Sequence, residues 1–141
     1  MSTKTLCRTL SDVSIALEAY ADVPDVDSAY VTTAGSMRVI LGFPYEFDPR
    51  DEIKLAKLCA WADRLGTTIL IELSYGGSGS ASIAFELGGH PAQIRVDLHS
   101  GQAYELGAAL RRPITTDSPS ITIAPSALRE ALAATGIGTV T

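Results

Sequence analysis

Asp97 and His99 are the residues whose types and spacing most suggest chemistry, because they stand two positions apart in a segment with the pattern of a β-strand. Alternate residues of a strand point to the same side. A carboxylate and an imidazole at this spacing could therefore bind a metal ion together or pair for proton transfer.

Glu72 extends this pattern on the same predicted sheet. The predicted register places it in one row with Asp97, two strands away, with Ala84 between them. Adjacent strands lie about 4.8 Å apart, so the carboxylates would be roughly 10 Å apart, near the upper limit for an acid and a base acting across a water molecule. One hypothesis is therefore a small-molecule or metal site on this face, with hydrolysis as a reaction it could support.

The same polar positions have a simpler explanation as the solvated side of a sheet, where Glu72, Glu86 and Asp97 only maintain solubility. A catalytic or metal site also needs a concave, partly dry pocket, and no feature of the sequence supplies one. The sequence therefore favours a protein that is not an enzyme, with no catalytic residue and no cofactor. Glu72, Asp97 and His99 remain the alternative metal-binding set.

Two other features resemble functional motifs only in composition. The run 76–80 is rich in glycine and serine, but phosphate-binding loops open a helix, whereas the residues 81–87 that follow are typical of a strand. A hairpin loop is the better interpretation.

Cys59 falls on the core side of a predicted helix, where burial raises the pKa of a thiol and makes it unreactive. His90 stands in a glycine-flanked turn and is assigned no role.

Trp61 lies in a predicted helix over 49–65, which begins after the capping residue Asp48. It stands about 100° from the centre of the apolar stripe that faces the core. Ile53 and Ala60 belong to a second ridge, almost opposite that stripe. Either another helix of this chain covers this side, or it is a surface for self-association or for a partner.

The remaining elements complete an α+β protein, predicted as a single domain over 1–141. Periodicity and capping predict helices over 12–21, 49–65 and 125–135, packed mostly on one face of a sheet. The ends, 1–9 and 136–141, are predicted to be mobile. Residues 100–120 read mostly as loop, before a short strand at 121–123.

The sheet is predicted to be mainly antiparallel and to consist of two hairpin units. One hairpin spans 29–43 with its turn at 34–36, and a three-stranded meander spans 68–99. Matching the apolar faces places Leu73 opposite Ile83, Leu87 opposite Ile94, and Glu86 opposite Arg95.

Composition limits the function classes. The chain has 141 residues, of which 46% are hydrophobic and 19% charged, as in a folded domain rather than a disordered chain. Its net charge of −5 has the wrong sign for neutralising phosphates, so nucleic acid is not an expected partner. No signal peptide or membrane span is evident, and only two cysteines occur, which favours a reducing cytoplasm.

These observations favour a non-enzymatic interaction or regulatory domain with an unidentified protein partner, which could also be a second copy of the chain. Eight arginines against three lysines, and no asparagine, are typical of a high-GC genome, and a phage or mobile-element accessory protein is one setting that fits. An acidic domain of this kind could dock onto a basic partner. The predicted interaction residues are Trp61, Ile53, Ala60, Glu72, Glu86 and Asp97.

Overall fold

Amphipathic helices and period-two strands build the fold, with one more α-helix than the sequence pattern indicates. The computed structural model describes residues 1–33, 36–44 and 51–134. In chain order the elements are α1 (Thr3–Leu17), a 3₁₀ turn (Glu18–Tyr20), β1 (Ser28–Thr32), β2 (Arg38–Gly42), α2 (Asp51–Leu65), β3 (Ile69–Leu73), a 3₁₀ turn (Tyr75–Gly77), β4 (Gly79–Leu87), β5 (His90–Leu98), α3 (Gln102–Ala109), β6 (Ser120–Ile123) and α4 (Pro125–Ala134). Over these residues the chain is a small α+β protein with six strands and four helices.

The strands form one mixed sheet in the order β1-β2-β5-β4-β3-β6. Its pairs are antiparallel except that β2 and β5 run parallel, with Val39 opposite Ala92 and Leu41 opposite Ile94. A parallel pair needs a long crossover connection, which α2, β3 and β4 supply here. The sheet is thus a mixed one in which four of the five strand pairs are antiparallel, and the two hairpin units join through the one parallel pair among the described strands.

The meander of β3, β4 and β5 has registers that differ from the predicted ones by four residues. Leu73 lies opposite Gly79 rather than Ile83. Ile94 lies opposite Ile83 rather than Leu87. The turn between β4 and β5 is only two residues long, and both of its glycines have positive φ. β5 therefore begins at His90, three residues earlier than predicted, while β4 ends at Leu87 as predicted. A shift by an even number leaves every side chain on its predicted face.

The first helix begins at Thr3, nine residues before the predicted start, and a 3₁₀ turn carries the chain on to Tyr20. Ser2 provides the cap, because its hydroxyl accepts a hydrogen bond from the backbone N–H of Thr5 at 3.1 Å. Residues 3–9, part of the end predicted to be mobile, thus form the first half of α1.

Residues 100–120 contain a helix that the sequence reading treats mostly as loop. The 8-residue helix α3 buries Ala103 and Leu106 next to β3 and β4. So short a helix gives little periodic signal, because it presents only two turns to the core. Three predicted features lie outside the described residues: the helix start at Asp48, the hairpin turn at Ala34 and Gly35, and the end 136–141.

The core lies between the sheet and the helices. α1, α2 and α3 contact the sheet, and α4 packs against α2 and α3. α2 buries Leu55, Leu58, Cys59 and Ala62, the stripe that its periodicity predicts. Burial raises the pKa of the Cys59 thiol to about 11, in line with a structural role. Within the described ranges, no helix is long and apolar enough to span a bilayer.

Candidate functional site

The candidate site is the side of the sheet that faces away from the helices. We call it the open face; it consists of the even-numbered residues of β1, β2, β3, β4 and β6 and the odd-numbered residues of β5. Ile71 and Ile83 are buried on the other side, with the helices. Side chains alternate along a strand, so their neighbours Glu72, Ser82 and Ala84 belong to the open face.

Glu72 and Asp97 share one row of the open face. Ser80 on β4 pairs with both, lying opposite Glu72 on β3 and opposite Asp97 on β5. The sequence predicts this row with Ala84 in the middle position. Each register is off by four residues, and the two errors cancel across the shared strand β4. The two carboxylate-bearing backbones are therefore two strand spacings apart, roughly 10 Å.

His99 does not join this row. It follows the end of β5, where its backbone N–H donates to Oε1 of Gln102 at 3.4 Å and its carbonyl accepts from the backbone N–H of Gln102 at 3.1 Å. These bonds place His99 in the turn that leads into α3. Among the described residues, no group of three or more His, Cys, Asp or Glu could hold a metal ion. Glu72, Asp97 and His99 therefore do not converge on one point.

Arg95 has a different neighbour from the predicted one. It lies opposite Ser82, while Glu86 lies opposite Pro91 near the β4–β5 turn. The Nε of Arg95 instead donates to Oδ1 of Asp97, two residues along the same strand, at 3.2 Å. Both side chains are largely solvent-exposed, so this pair contributes less than about 1 kcal/mol to stability.

A shallow depression of about 280 Å³ lies on the open face beside this ion pair. Tyr30, Ile40 and Gly42 line it together with Arg95 and Asp97. Tyr30 is 59% exposed, whereas Ile40 is only 7% exposed. Sequence reasoning missed both side chains. Their signal was available, because each alternates with a core position in its strand.

Except for Arg95, which lies opposite Ser82, the charges of the open face lie toward the two ends of its strands. Arg38 and Glu86 lie toward the β4–β5 turn, and Glu72 and Asp97 lie near the opposite end of β4. Six residues of strand separate Ser80 from Glu86, which is roughly 20 Å. Between these ends stand Tyr30, Ile40, Leu70, Ser82 and Ala84. Apart from Arg95, the middle of these strands thus carries less charge than their ends, and protein interfaces commonly combine a less charged region with charged surroundings.

The helix residues predicted to be an interaction surface lie elsewhere. Trp61 is 1% exposed, with its ring 5.3 Å from that of Tyr20 and 6.0 Å from that of Phe85. The residues after α1 thus cover Trp61, which is the first of the two alternatives that the sequence left open. Ile53 and Ala60 are partly buried on α2. None of these three belongs to the open face.

Comparison with known proteins adds no relative. The chain matches no family model, and neither a curated protein nor a solved structure is significantly similar to it.

Proposed function

We propose that this protein is a non-enzymatic interaction domain that binds a basic protein partner through the open face of its sheet. The observation that carries the proposal is the composition of that face: Glu72, Glu86 and Asp97 are exposed on the inner strands β3, β4 and β5, and the ring of Tyr30 is exposed on the edge strand β1. Among the described residues, neither Glu72 nor Glu86 forms an ion pair.

Tyrosine and arginine are the side chains that most often dominate binding energy at an interface. Tyr30 on β1 and Arg95 on β5 line the same depression over Ile40, on the two strands that flank β2. A partner side chain that enters this depression would bury the Tyr30 ring. The flanking carboxylates would then meet the partner's lysines and arginines at the rim.

The net charge of −5 supports a basic partner rather than an acidic one. Complementary charge raises the association rate, and salt weakens this effect. Since the acidic side chains of the open face lie at its rim, we expect them to affect association rate and salt dependence more than dissociation rate.

The test reverses charge at two matched surfaces. One variant carries Glu72→Lys, Glu86→Lys and Asp97→Lys, and its control carries Glu105→Lys, Asp117→Lys and Glu130→Lys. The control residues are also exposed but lie outside the open face, and both variants change the net charge from −5 to +1.

Proteins captured from cell lysate by the wild-type chain would be purified, and their affinities for the three forms measured by calorimetry. We expect the open-face variant to bind a captured partner at least about tenfold more weakly than the control does. Equal weakening in both variants would contradict the proposal, because it would show an effect of net charge alone. Light scattering over a concentration series adds a second check: a dimer that Tyr30→Ala abolishes would make the partner a second copy of this acidic chain and would contradict a basic partner.

A small-molecule site is the second candidate, and the depression beside Tyr30 favours it. Its aromatic wall, apolar floor and adjacent guanidinium of Arg95 suit a small anion with an apolar body. A fragment screen by NMR tests this idea. Fragment binding that Tyr30→Ala and Arg95→Ala both abolish would support it, and binding that both variants retain would exclude this location.

A further inference from the structure

We infer that the protein has a second docking site, a groove beside α1 that binds an extended, basic segment of another protein carrying apolar side chains. One wall of the groove is a stripe of α1 that contains Leu10, Ser14 and Leu17, continued by the 3₁₀ turn. The other wall is the segment 24–29. We call this groove the α1 groove. Its lining does not include Glu72, Glu86, Asp97 or Tyr30, so this inference is independent of the function proposed for the open face.

Two adjoining depressions form the α1 groove. One has a volume of about 350 Å³ and the other about 240 Å³. Ser14, Leu17 and Val26 line both, so the depressions adjoin along α1. The stripe runs from Leu10 to Ala21, a helical length of roughly 16 Å, which about five residues of extended chain would match.

The lining of the groove is mainly apolar. Leu10, Leu17 and Val26 line its walls, and Tyr20 and Trp61 lie at one end. The indole Nε1 of Trp61 donates to the carbonyl of Pro24 at 2.8 Å, so this group needs no partner from a ligand. Apolar side chains of a bound segment would therefore meet no unsatisfied polar group at the tryptophan.

The rim of the groove carries one sign of charge. Glu18 stands on the helical wall, and Asp25 and Asp27 stand on the opposite wall. All three are exposed, and none forms an ion pair within the described part of the chain. None of the described residues that line the groove is basic. Three carboxylates around an apolar channel thus complement a segment that combines lysine or arginine with leucine-like side chains.

The groove is held in shape by Arg64, which stands outside it. Its Nε donates to Oδ2 of Asp22 at 3.1 Å, and its guanidinium lies 5.0 Å from the centre of the Tyr20 ring. An Nη donates to the carbonyl of Ala19 at 3.4 Å. These contacts tie the bend after α1 to α2. A segment that binds would therefore find the walls already in place, which reduces the entropic cost of binding.

Peptide titrations followed by amide NMR test the inference. The probe is a seven-residue peptide of alternating leucine and arginine; the controls are a leucine–glutamate peptide and a serine–arginine peptide of the same length. We expect the leucine–arginine peptide to shift the amides of residues 10–29, and both controls to bind at least about tenfold more weakly. Equal shifts with the serine–arginine peptide would reduce the site to charge attraction and overturn the inference.

Matched variants locate the binding. The groove variant combines Glu18→Gln, Asp25→Asn and Asp27→Asn, and we expect it to bind the leucine–arginine peptide about tenfold more weakly. The open-face variant combines Glu72→Gln, Glu86→Gln and Asp97→Asn. It has the same change in net charge, and we expect its affinity for the peptide to stay within about twofold of the wild type. Ser14→Tyr, at an exposed helix position, places a ring in the shared part of the groove and should abolish binding without unfolding the protein. If the open-face variant weakens the peptide as much as the groove variant does, the groove is not the site. That result would leave the proposed function of the open face standing.

Discussion

The open face and the α1 groove are both acidic, but they differ in shape and in how their charges are paired. On the open face, Arg95 partly compensates Asp97, and the charges are spread over roughly 20 Å. In the groove, Glu18, Asp25 and Asp27 surround one channel with no basic residue in its described lining.

Shape decides what each region can bind. A flat face gains affinity only from a large contact area, of the order of 800 Å² per partner, so it requires a folded partner. The α1 groove instead offers two adjoining depressions along roughly 16 Å of α1, a length that suits a short extended segment. The comparison therefore assigns short, linear ligands to the groove and folded partners to the open face.

Replacing Trp61, which lies at one end of the α1 groove, should lower the free energy of unfolding more than any other substitution proposed below. Trp61→Ala removes a 1% exposed ring that contacts Tyr20 and Phe85, and we expect a loss of about 3–5 kcal/mol in the free energy of unfolding, measured by urea denaturation. Trp61→Phe keeps a ring but loses the hydrogen bond to Pro24, and it should cost about 1–2 kcal/mol. A loss under about 1 kcal/mol for Trp61→Ala would show that the indole is not a core side chain.

The next largest effect comes from the turn between β4 and β5, which contacts α1. Gly88 and Gly89 both have positive φ, so alanine at either position is strained. At Gly88 the added β carbon would also lie 2.7 Å from the carbonyl oxygen of Asp12 on α1, whereas at Gly89 it would meet nothing. We expect Gly88→Ala to cost about 2–3 kcal/mol and Gly89→Ala about 1 kcal/mol in urea denaturation.

The difference between these two glycine variants isolates the contact between the turn and α1. Gly88→Ala should also shift the amide resonances of α1 and weaken peptides in the groove, and Gly89→Ala should do neither. Equal stability of the two variants would mean that α1 moves freely at this contact.

The row of Glu72 and Asp97 shows what the sequence could predict. Period-two alternation fixes which face a side chain occupies, and this signal is local. Register depends on turn length, which the sequence reading overestimated at the two-glycine turn. The row was predicted correctly only because two equal errors cancelled on β4, so its middle residue is Ser80 rather than Ala84.

The α1 groove and the parallel pair of β2 and β5 could not be predicted in this way. Each joins segments distant in the chain, such as Leu17 and Trp61, and no local periodicity reports such contacts. The helical pattern around Trp61 allowed both a covered and an exposed ring. Only the packing of Tyr20 against it distinguishes them. His90 is a similar case, because its Nε2 lies 3.0 Å from Oδ2 of Asp12, a residue 78 positions away.

Ionisation of the Cys59 thiol at alkaline pH should lower the stability of the fold without acting on one binding region more than the other. Cys59 lines neither the open face nor the α1 groove. Burial raises the pKa of its thiol from 9.0 to about 11, so the folded state holds this proton more tightly than the unfolded state does. The resulting stabilisation is complete below pH 9 and is lost as pH rises through 11, by about 2–3 kcal/mol in total. Urea denaturation at pH 8 and pH 10.5 measures the loss in wild type. Cys59→Ala, which cannot titrate, serves as the reference, and an identical pH dependence in both forms would contradict this assignment.

Tyr30 provides the sharpest separation of stability from binding, with the smallest effect on folding. Because 59% of its surface is already exposed, Tyr30→Ala should change the free energy of unfolding by less than about 0.5 kcal/mol.

The leucine–arginine peptide should bind this variant as it binds wild type, since Tyr30 does not line the α1 groove. A partner of the open face should instead bind at least about tenfold more weakly, because an exposed tyrosine beside an arginine is typical of residues that dominate an interface. Tyr104→Ala is the matched control, since Tyr104 is 41% exposed on α3, outside the open face. If both tyrosine variants weakened the partner equally, Tyr30 would not be its anchor, and the open face would retain only its rim charges as a basis for recognition.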